Sequence, residues 1–334
     1  MAQSGPYPNA DMARPQPADR VPRVSELMER AARLHYEFGL THHDTAEALG
    51  ISRIKVTRLL KQAREAGVVK ITVISTVSPF ADLEDSLARS AGMREAIIVP
   101  MSESHGSAAR SMLARGAASY LERVMRDGIV VAVGLSRTIE EMPNWITDVR
   151  PTRASFVSLT GAVRLGGQGS GNPYQAADAL ALAFGGTAEH LHAPVIVQSR
   201  AVADELRSDP AIAQTLRRAA AADVAFVGVG GKNDRINFNQ DAYITRDEWA
   251  KLLAEGMVGD IGGRFFDRNG VQINHDINGR VVGIDLDDFV RIPVRVVAAA
   301  GPSKVEAIAA AVRGGLVTVL VTDVETARAL IESV

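Results

Sequence analysis

The chain has 334 residues, of which 46% are hydrophobic and 23% charged, with a net charge of −2; this length allows two or three domains, each with its own core. It has no cysteine, which excludes disulfide scaffolds, cysteine zinc sites and thiol chemistry. No run reaches the roughly 18 apolar residues of a membrane span, and the N-terminal MAQSGPYPNADMARPQPADR lacks the apolar core of a signal peptide, so a cytoplasmic protein without a membrane partner is expected.

Charge is unevenly distributed. Between positions 23 and 70 nine Lys/Arg stand against six Asp/Glu, about +3, which leaves the remainder near −5. Such an asymmetry suits a basic head on a mildly acidic body.

Residues 1–22 are rich in Pro, Ala, Gly and polar residues, with no apolar period, and are expected to be a disordered tail. Arg14 and Arg20 are balanced there by Asp11 and Asp19, which argues against a basic arm. From Val24 to Phe38, Leu27, Ala31, Leu34 and Phe38 recur at helical spacing, and Gly39 ends the segment. Thr41 is a natural N-cap for a second helix, with Asp44 in its first turn, Ala46 and Leu49 facing inward, and Gly50 as its stop. His42 and His43 open that helix and are expected to be exposed.

Ser52 then caps a third helix. Its buried stripe is Val56, Leu59, Leu60 and Ala63, which leaves Arg53, Lys55, Thr57, Arg58 and Lys61 on the open side. Five basic residues and no acid lie between Arg53 and Arg64. Two helices joined by a tight break at Gly50-Ile51-Ser52, the second basic, form a helix-turn-helix pattern, whose second helix enters the major groove of DNA. A solvated surface face is the plainer account of a charge run, but it explains neither the turn spacing nor the buried stripe. Thr41, Ser52, Arg53, Lys55, Thr57, Arg58 and Lys61 are therefore the expected DNA-contacting residues. VVKITVIS, after Gly67, is β-rich and predicts a small wing strand, which gives a DNA-binding domain over 23–76.

Pro79 marks a boundary, and 80–334 is expected to be the second, larger domain. Phe80 to Ala91 has helical spacing. Beyond it, apolar runs predict strands at Ala96–Val99, Ile129–Val133, Ser155–Leu159, Val195–Val197, Val224–Val229, Val294–Ala299 and Val317–Val321. Helical patterns lie between several of them, at Ala108–Met125, Tyr174–Phe184, Ala211–Ala221, Lys304–Val312 and Glu325–Ile331. This alternation predicts an α/β domain with a mainly parallel sheet. Residues 257–293 are punctuated by glycine and predict β-hairpins inserted into the sheet domain.

Ligands of open α/β sheets bind beyond the carboxyl ends of the strands. Three loops there carry suitable chemistry. Gly134-Leu135-Ser136-Arg137-Thr138 runs from a strand into a helix, with backbone amides, two hydroxyls and one Arg, a set that suits phosphate; an ordinary capped turn is the alternative. Gly301-Pro302-Ser303-Lys304 places a cation at a helix start, where it does not help the helix itself. Gly256–Gly263 surrounds Asp260 with four glycines, which suits close backbone approach and an acceptor for sugar hydroxyls; a solvent-facing turn is the alternative. Gly161–Asn172 and Gly230–Asn239 are further Gly/Asn-rich loops after strands.

Other patterns point nowhere specific. His190, His192 and His275 lack metal-ligand spacing, so no metal site is expected, and Asp285, Asp287 and Asp288 suit a solvated acidic edge. There is no Gly-x-Ser-x-Gly elbow, Walker loop or dinucleotide fingerprint, since Gly228-Val229-Gly230-Gly231 lacks the spacing. No cofactor and no catalytic residue are expected.

The landmarks GLTHHDTAEALGISRIKVTRLLKQAREAGVVKITV, VAVGLSRTIEEM, SLTGAV, LHAPVIV, ADVAFVGVGG, GMVGDIGGRFFD and VVAAAGPSKVEAIAAAVRGGLVTVLVTDVETARALI occur in an order and spacing that resembles the SorC family of bacterial sugar-responsive transcriptional regulators, over about Val24 to Glu332. The resemblance implies a winged helix-turn-helix followed by an effector domain similar to sugar-phosphate isomerase-like domains. It also implies operator DNA and a sugar or sugar-phosphate effector as partners, with assembly as a homodimer or homotetramer. Matched position by position, it assigns Gly134, Ser136, Arg137 and Thr138 to the phosphate-side loop, and Asp260 and Lys304 to the ligand-contacting carboxylate and lysine. Two positions depart from the family pattern: Ser136 replaces the usual Gly of a Gly-Arg-Thr loop, and Pro302 stands where a charged residue is frequent. A sugar-phosphate isomerase or deaminase fused to a DNA-binding head, and a constitutive DNA-binding protein whose body only oligomerises, are the alternatives.

Overall fold

The computed structural model describes residues 24–69, 78–100, 106–148, 151–162, 172–233 and 244–333. The chain divides into two compact units, Met1–Val77 and Ser78–Val334. The expected tail and all but the first two residues of the expected wing strand lie outside the described residues.

In the first unit, helix α1 (Val24–Ala32) runs into a single π turn, Arg33–Glu37, closed by the Phe38 amide donating to the Arg33 carbonyl at 3.2 Å. Gly39, at φ +70°, ends the segment where expected. A π turn takes up an additional residue and rotates the next side chains out of phase. Phe38, placed on the buried stripe by its spacing, is consequently 65% exposed, and Ala31 and Ala32 fill the core instead. Helix α2 (His42–Leu49) opens with a capping box: the Thr41 hydroxyl accepts from the Asp44 amide at 3.2 Å, and the Asp44 carboxylate accepts from the Thr41 amide at 3.3 Å. It stops at Gly50, φ +64°, a conformation that costs a Cβ-bearing residue about 1–2 kcal/mol. Helix α3 (Arg53–Glu65) starts at Ser52, whose hydroxyl accepts from the Lys55 amide at 3.3 Å. Val56, Leu59, Leu60 and Ala63 are buried against Ala31, Ala32 and Ala46, which is the stripe expected from the sequence.

The second unit begins with α4 (Ala81–Ser90), β1 (Glu95–Val99), α5 (Ser107–Val124), β2 (Val130–Val133), α6 (Arg137–Glu141), β3 (Ser155–Ser158), α7 (Pro173–Phe184) and β4 (Thr187–Glu189). It continues with α8 (Arg200–Ser208), α9 (Pro210–Ala220), β5 (Val224–Val227), β6 (Gly230–Gly231), α10 (Arg246–Ala254), β7 (Gly259–Ile261), β8 (Arg264–Phe266), α11 (Asp276–Arg280) and α12 (Leu286–Phe289), and closes with β9 (Val294–Ala298), α13 (Val305–Arg313), β10 (Val319–Asp323) and α14 (Val324–Ile331). Seven of these strands form one parallel sheet in the order β1-β10-β9-β5-β2-β3-β4. The inner strands are short and largely apolar because both faces are covered. Their two-residue alternation sends Val131, Val133, Phe156, Phe226 and Val296 into a core with α5, α6 and α7. Ala132, Val157, Val227, Val297 and Leu320 face a second core with α4, α9, α13 and α14.

From β2 the chain steps outward to β3 and β4, whereas from β5 it proceeds the other way to β9 and β10. β2 and β5 are neighbours, so the sheet reverses its winding between them. The crevice beyond their carboxyl ends is where such a sheet admits a ligand.

Three expectations need correction. Val195–Val197 is not a strand of the sheet and contributes only the isolated bridge Ile196↔Val281. The edge is instead β4, a polar segment without an apolar run to betray it. Residues 257–293 are only partly hairpin: β6, β7 and β8 form a small antiparallel sheet, but α11 and α12 take up much of the remainder. α8 and α10 were not expected, since α8 buries only Ala203 and α10 only Trp249 and Leu252, too few for a visible stripe.

Candidate functional site

In the first unit, Arg53, Lys55, Thr57, Arg58 and Lys61 all lie on the exposed side of α3. Thr41 and Ser52 cap the two helices and hold the turn between them. The Thr57 hydroxyl donates to the Arg53 carbonyl at 3.1 Å and lies 3.3 Å from His42 Nδ1, tying α3 to α2. His42 is thus not free on the surface as expected; it is half-buried, with its ring edge-on to His35 at 4.8 Å. Lys61 sits 3.7 Å from Glu65, while among the described residues Arg53, Lys55 and Arg58 form no ion pair. The result is a face of cations on a rigid helix, which suits phosphates and guanine edges.

In the second unit, the loops singled out from the sequence meet around the exit of β5. Gly134, directly after β2, packs so closely that a Cβ there would stand 2.7 Å from Val227 Cγ1. Two residues on, the Ser136 hydroxyl caps α6 through the Ile139 amide at 3.4 Å, and it rests against Gly228, where a Cβ would come within 2.7 Å of it. The next residue is Val229, whose carbonyl accepts from Lys304 Nζ at 2.6 Å. The next after that is Gly230, paired with Asp260 across β6 and β7; a Cβ on Gly230 would lie 1.9 Å from Asp260 Oδ1. Ser136, Lys304 and Asp260 therefore lean on three consecutive residues, Gly228, Val229 and Gly230. Glycine at two of these is a spatial necessity.

Asp260 is 7% exposed, and its Oδ2 accepts from the Gly263 amide at 3.1 Å within a turn whose Gly262 and Gly263 both have positive φ. Lys304 ends a 3-10 turn, Pro302–Lys304, that leads into α13, and Gly301 before it is held by its amide donating to the Thr326 hydroxyl at 2.8 Å. Arg137 is exposed and Thr138 half-buried on the first turn of α6. Glu140 follows on the same helix. Burial raises its pKa, while the Asn172 amide at 3.2 Å and the charges of Arg110 and Arg137 pull it back.

The sequence reading did not single out Gly228–Gly230 as the shared support, nor Asn172, Glu140 or Arg264. Arg264 is 3% exposed, and its guanidinium locks the hairpin that carries Asp260 to the following segment. It donates to the carbonyls of Ile284 at 3.2 Å, Gly283 at 3.2 Å, Val281 at 3.4 Å and Asn278, and pairs with Asp285 at 2.6 Å. An arginine inside the apolar run GGRFF was the available signal. Asp285 is accordingly more than a solvated edge residue.

Residues 75–332 match a family model described as "Putative sugar-binding domain". Over 313 residues the chain is 31% identical to the transcriptional regulator LsrR of Enterobacter sp. (strain 638), covering 92% of this chain and 93% of that protein. The chain belongs to the SorC-type family of sugar-binding transcriptional regulators. LsrR of Escherichia coli (strain K12) is 30% identical over 315 residues, covering 92% of this chain and 95% of that protein. The sugar-binding domain of a transcriptional repressor from Vibrio fischeri superposes with a TM-score of 0.69 at 28% identity, covering 75% of this chain and 98% of that one. The full-length sorbitol operon regulator SorC from Klebsiella pneumoniae shares the fold, with a TM-score of 0.68 at 22% identity over 91% of this chain and 98% of that one.

Both departures from the SorC-type loop pattern have a local physical account. Ser136, in place of glycine, supplies the N-cap of α6. Pro302 stands at the first position of the 3-10 turn, where its missing N–H loses nothing. Among the described residues no helix of this SorC-type chain is long and apolar enough to cross a membrane.

Proposed function

We propose that this SorC-type chain is a ligand-switched transcriptional regulator of a carbohydrate or polyol operon, with α3 reading operator DNA and a sugar effector, phosphorylated, bound beyond β2, β5 and β9. The observation that carries this reading is the convergence of Ser136, Lys304 and Asp260 on Gly228–Gly230 at the point where the sheet reverses, in a chain with a basic helix-turn-helix. The phosphate is assigned to the first turn of α6, with Ser136, Arg137 and Thr138, and to the Lys304 ammonium, whose position is set by the Val229 carbonyl. The Asp260 carboxylate, held by the Gly263 amide and backed by Gly230, is assigned to sugar hydroxyls. Arg53, Lys55, Thr57, Arg58 and Lys61 are assigned to the operator, with Thr41 and Ser52 at the helix starts that flank the backbone.

Switching arises from linkage: an effector that binds one arrangement of the body more tightly shifts the population toward it. In a homodimer or homotetramer two heads must match half-sites about one helical turn or a multiple apart, so a small reorientation changes affinity strongly. The test is operator affinity with and without pentose, hexose and polyol phosphates. A shift of about tenfold or more with one of them is expected, and Lys304→Ala should keep DNA binding while losing that response. No shift with any compound overturns the reading. A role without catalysis belongs to the proposal, and consumption of the bound sugar phosphate by the pure protein would overturn that part.

A further inference from the structure

A hydroxyl shut away from water without a hydrogen bond destabilises the state that contains it. Two such hydroxyls lie on one stretch at the end of β3. Ser158 is fully buried and Thr160 is 2% exposed, and among the described residues neither side-chain oxygen has a hydrogen-bond partner. Both border the candidate effector crevice. Ser158 is opposite Val133 of β2 in the parallel register, directly before the Gly134–Thr138 loop. The Thr160 methyl lies against the turn of the hairpin that carries Asp260, since a Cβ on Gly262 would stand 2.9 Å from it.

Leu159, between them, packs into a core, and the alternation of extended backbone puts Ser158 and Thr160 on the other face, their backbone positions about 6.6 Å apart. The backbone beside Thr160 is closely packed. A Cβ on Gly161 would come within 2.3 Å of the Ala193 carbonyl oxygen, and one on Gly283 within 2.9 Å of the Thr160 methyl. A Ser or Thr hydroxyl both donates and accepts, which is also what a sugar hydroxyl does.

We propose that Ser158 and Thr160 form the hydroxyl-recognising floor of the effector site, unpaired in the ligand-free body and taken up by a polyhydroxylated ligand whose phosphate sits at the start of α6. This rests on the effector reading given above. Because the Gly262 turn lies on Thr160, the ligand reaches that hydroxyl only when the turn moves off it. Occupancy is thereby linked to displacement of the Asp260 hairpin, and hydrogen bonds made only in that arrangement give the effector its preference for it.

The experiment uses the full chain as wild type and with Thr160→Val, Thr160→Ser and Ser158→Ala. Melting temperature is measured without ligand and with ribose 5-phosphate, glucose 6-phosphate, fructose 6-phosphate and glucitol 6-phosphate. Thr160→Val and Ser158→Ala are expected to melt at or above the wild type without ligand, because each removes an unsatisfied group. They should also bind the active sugar phosphate about tenfold more weakly, the loss of roughly one hydrogen bond. Thr160→Ser should keep the response. Thr45→Val, which removes another buried hydroxyl without a partner among the described residues but in α2 of the first unit, should leave the response unchanged. A lower melting temperature in Thr160→Val or Ser158→Ala overturns the inference, as the hydroxyls then have structural partners such as trapped water. An undiminished response in both variants overturns it while leaving the effector reading intact. A wild type that answers none of the compounds overturns the effector reading, and this inference with it.

Discussion

Arg264 shows most directly how one side chain holds the candidate site. Its guanidinium is almost fully buried, and burial lowers its pKa to about 10; the Asp285 carboxylate opposes this and Arg207 adds to it. It stays in place because five groups accept from it, four of them backbone carbonyls. Removing the side chain takes this donor away from carbonyls beneath the Asp260 hairpin and leaves Asp285 without its partner. Arg264→Ala is expected to cost about 3–5 kcal/mol of stability, because four buried carbonyls lose their donor, read from the denaturant midpoint, and Arg264→Lys to recover only part of it, because an ammonium cannot fork to the same set. A loss below about 1 kcal/mol, the level of an exposed pair, would remove Arg264 from this role. The signal for it in the sequence was a charge inside an apolar run, which marks burial but names no partner. Asp260 and Lys304 were more legible, because glycines beside a carboxylate and a cation at a helix start are local oddities visible in one dimension.

At the level of elements, α3 illustrates what local sequence can specify. Its cap, Ser52, and its buried stripe lie within a few turns of one another, and the structure has both where the spacing put them. Since Arg58 is exposed and without an ion-pair partner among the described residues, Arg58→Ala should weaken operator binding without unfolding the head. If Arg58 contacts a phosphate, the slope of log affinity against log salt should fall by about 1. An unchanged affinity and slope would take Arg58 off the interface. Ser52→Ala acts differently: loss of the cap costs about 1 kcal/mol of stability and leaves the salt slope as it is. The long helices α5, α7, α13 and α14 were legible almost to their ends because each buries an apolar stripe, and α9 was so through Ile212 and Ala219 with the partly buried Leu216 and Ala220 beside them. Elements with little to bury were not: β4 is polar and lies at the sheet edge, and α8 holds one buried alanine. The π turn escaped for another reason, since apolar spacing assumes a constant turn and a single inserted residue breaks the phase.

For the whole molecule, the proposed switch implies a thermodynamic symmetry that can be measured. If an effector changes operator affinity by some factor, operator DNA must change effector affinity by the same factor. Titrating the sugar phosphate with and without saturating operator is expected to return that equality. Two unequal factors would mean that a further equilibrium, such as a change of assembly state, takes part in the switch.

The sequence alone determined the head, the alternation of strands and helices, and the three loops with chemistry suited to an anionic sugar, since all of these rest on interactions a few residues long. What only the tertiary structure decided is that Ser136, Asp260 and Lys304 share one support. They lie up to 168 positions apart, and nothing in spacing or composition links them. They meet because β5 lies between β2 and β9 in the sheet and because glycine at 228 and 230 lets a hydroxyl and a carboxylate approach the backbone. The order of strands is set by how two faces of a sheet are covered at once, a property of the packed chain that no single segment carries.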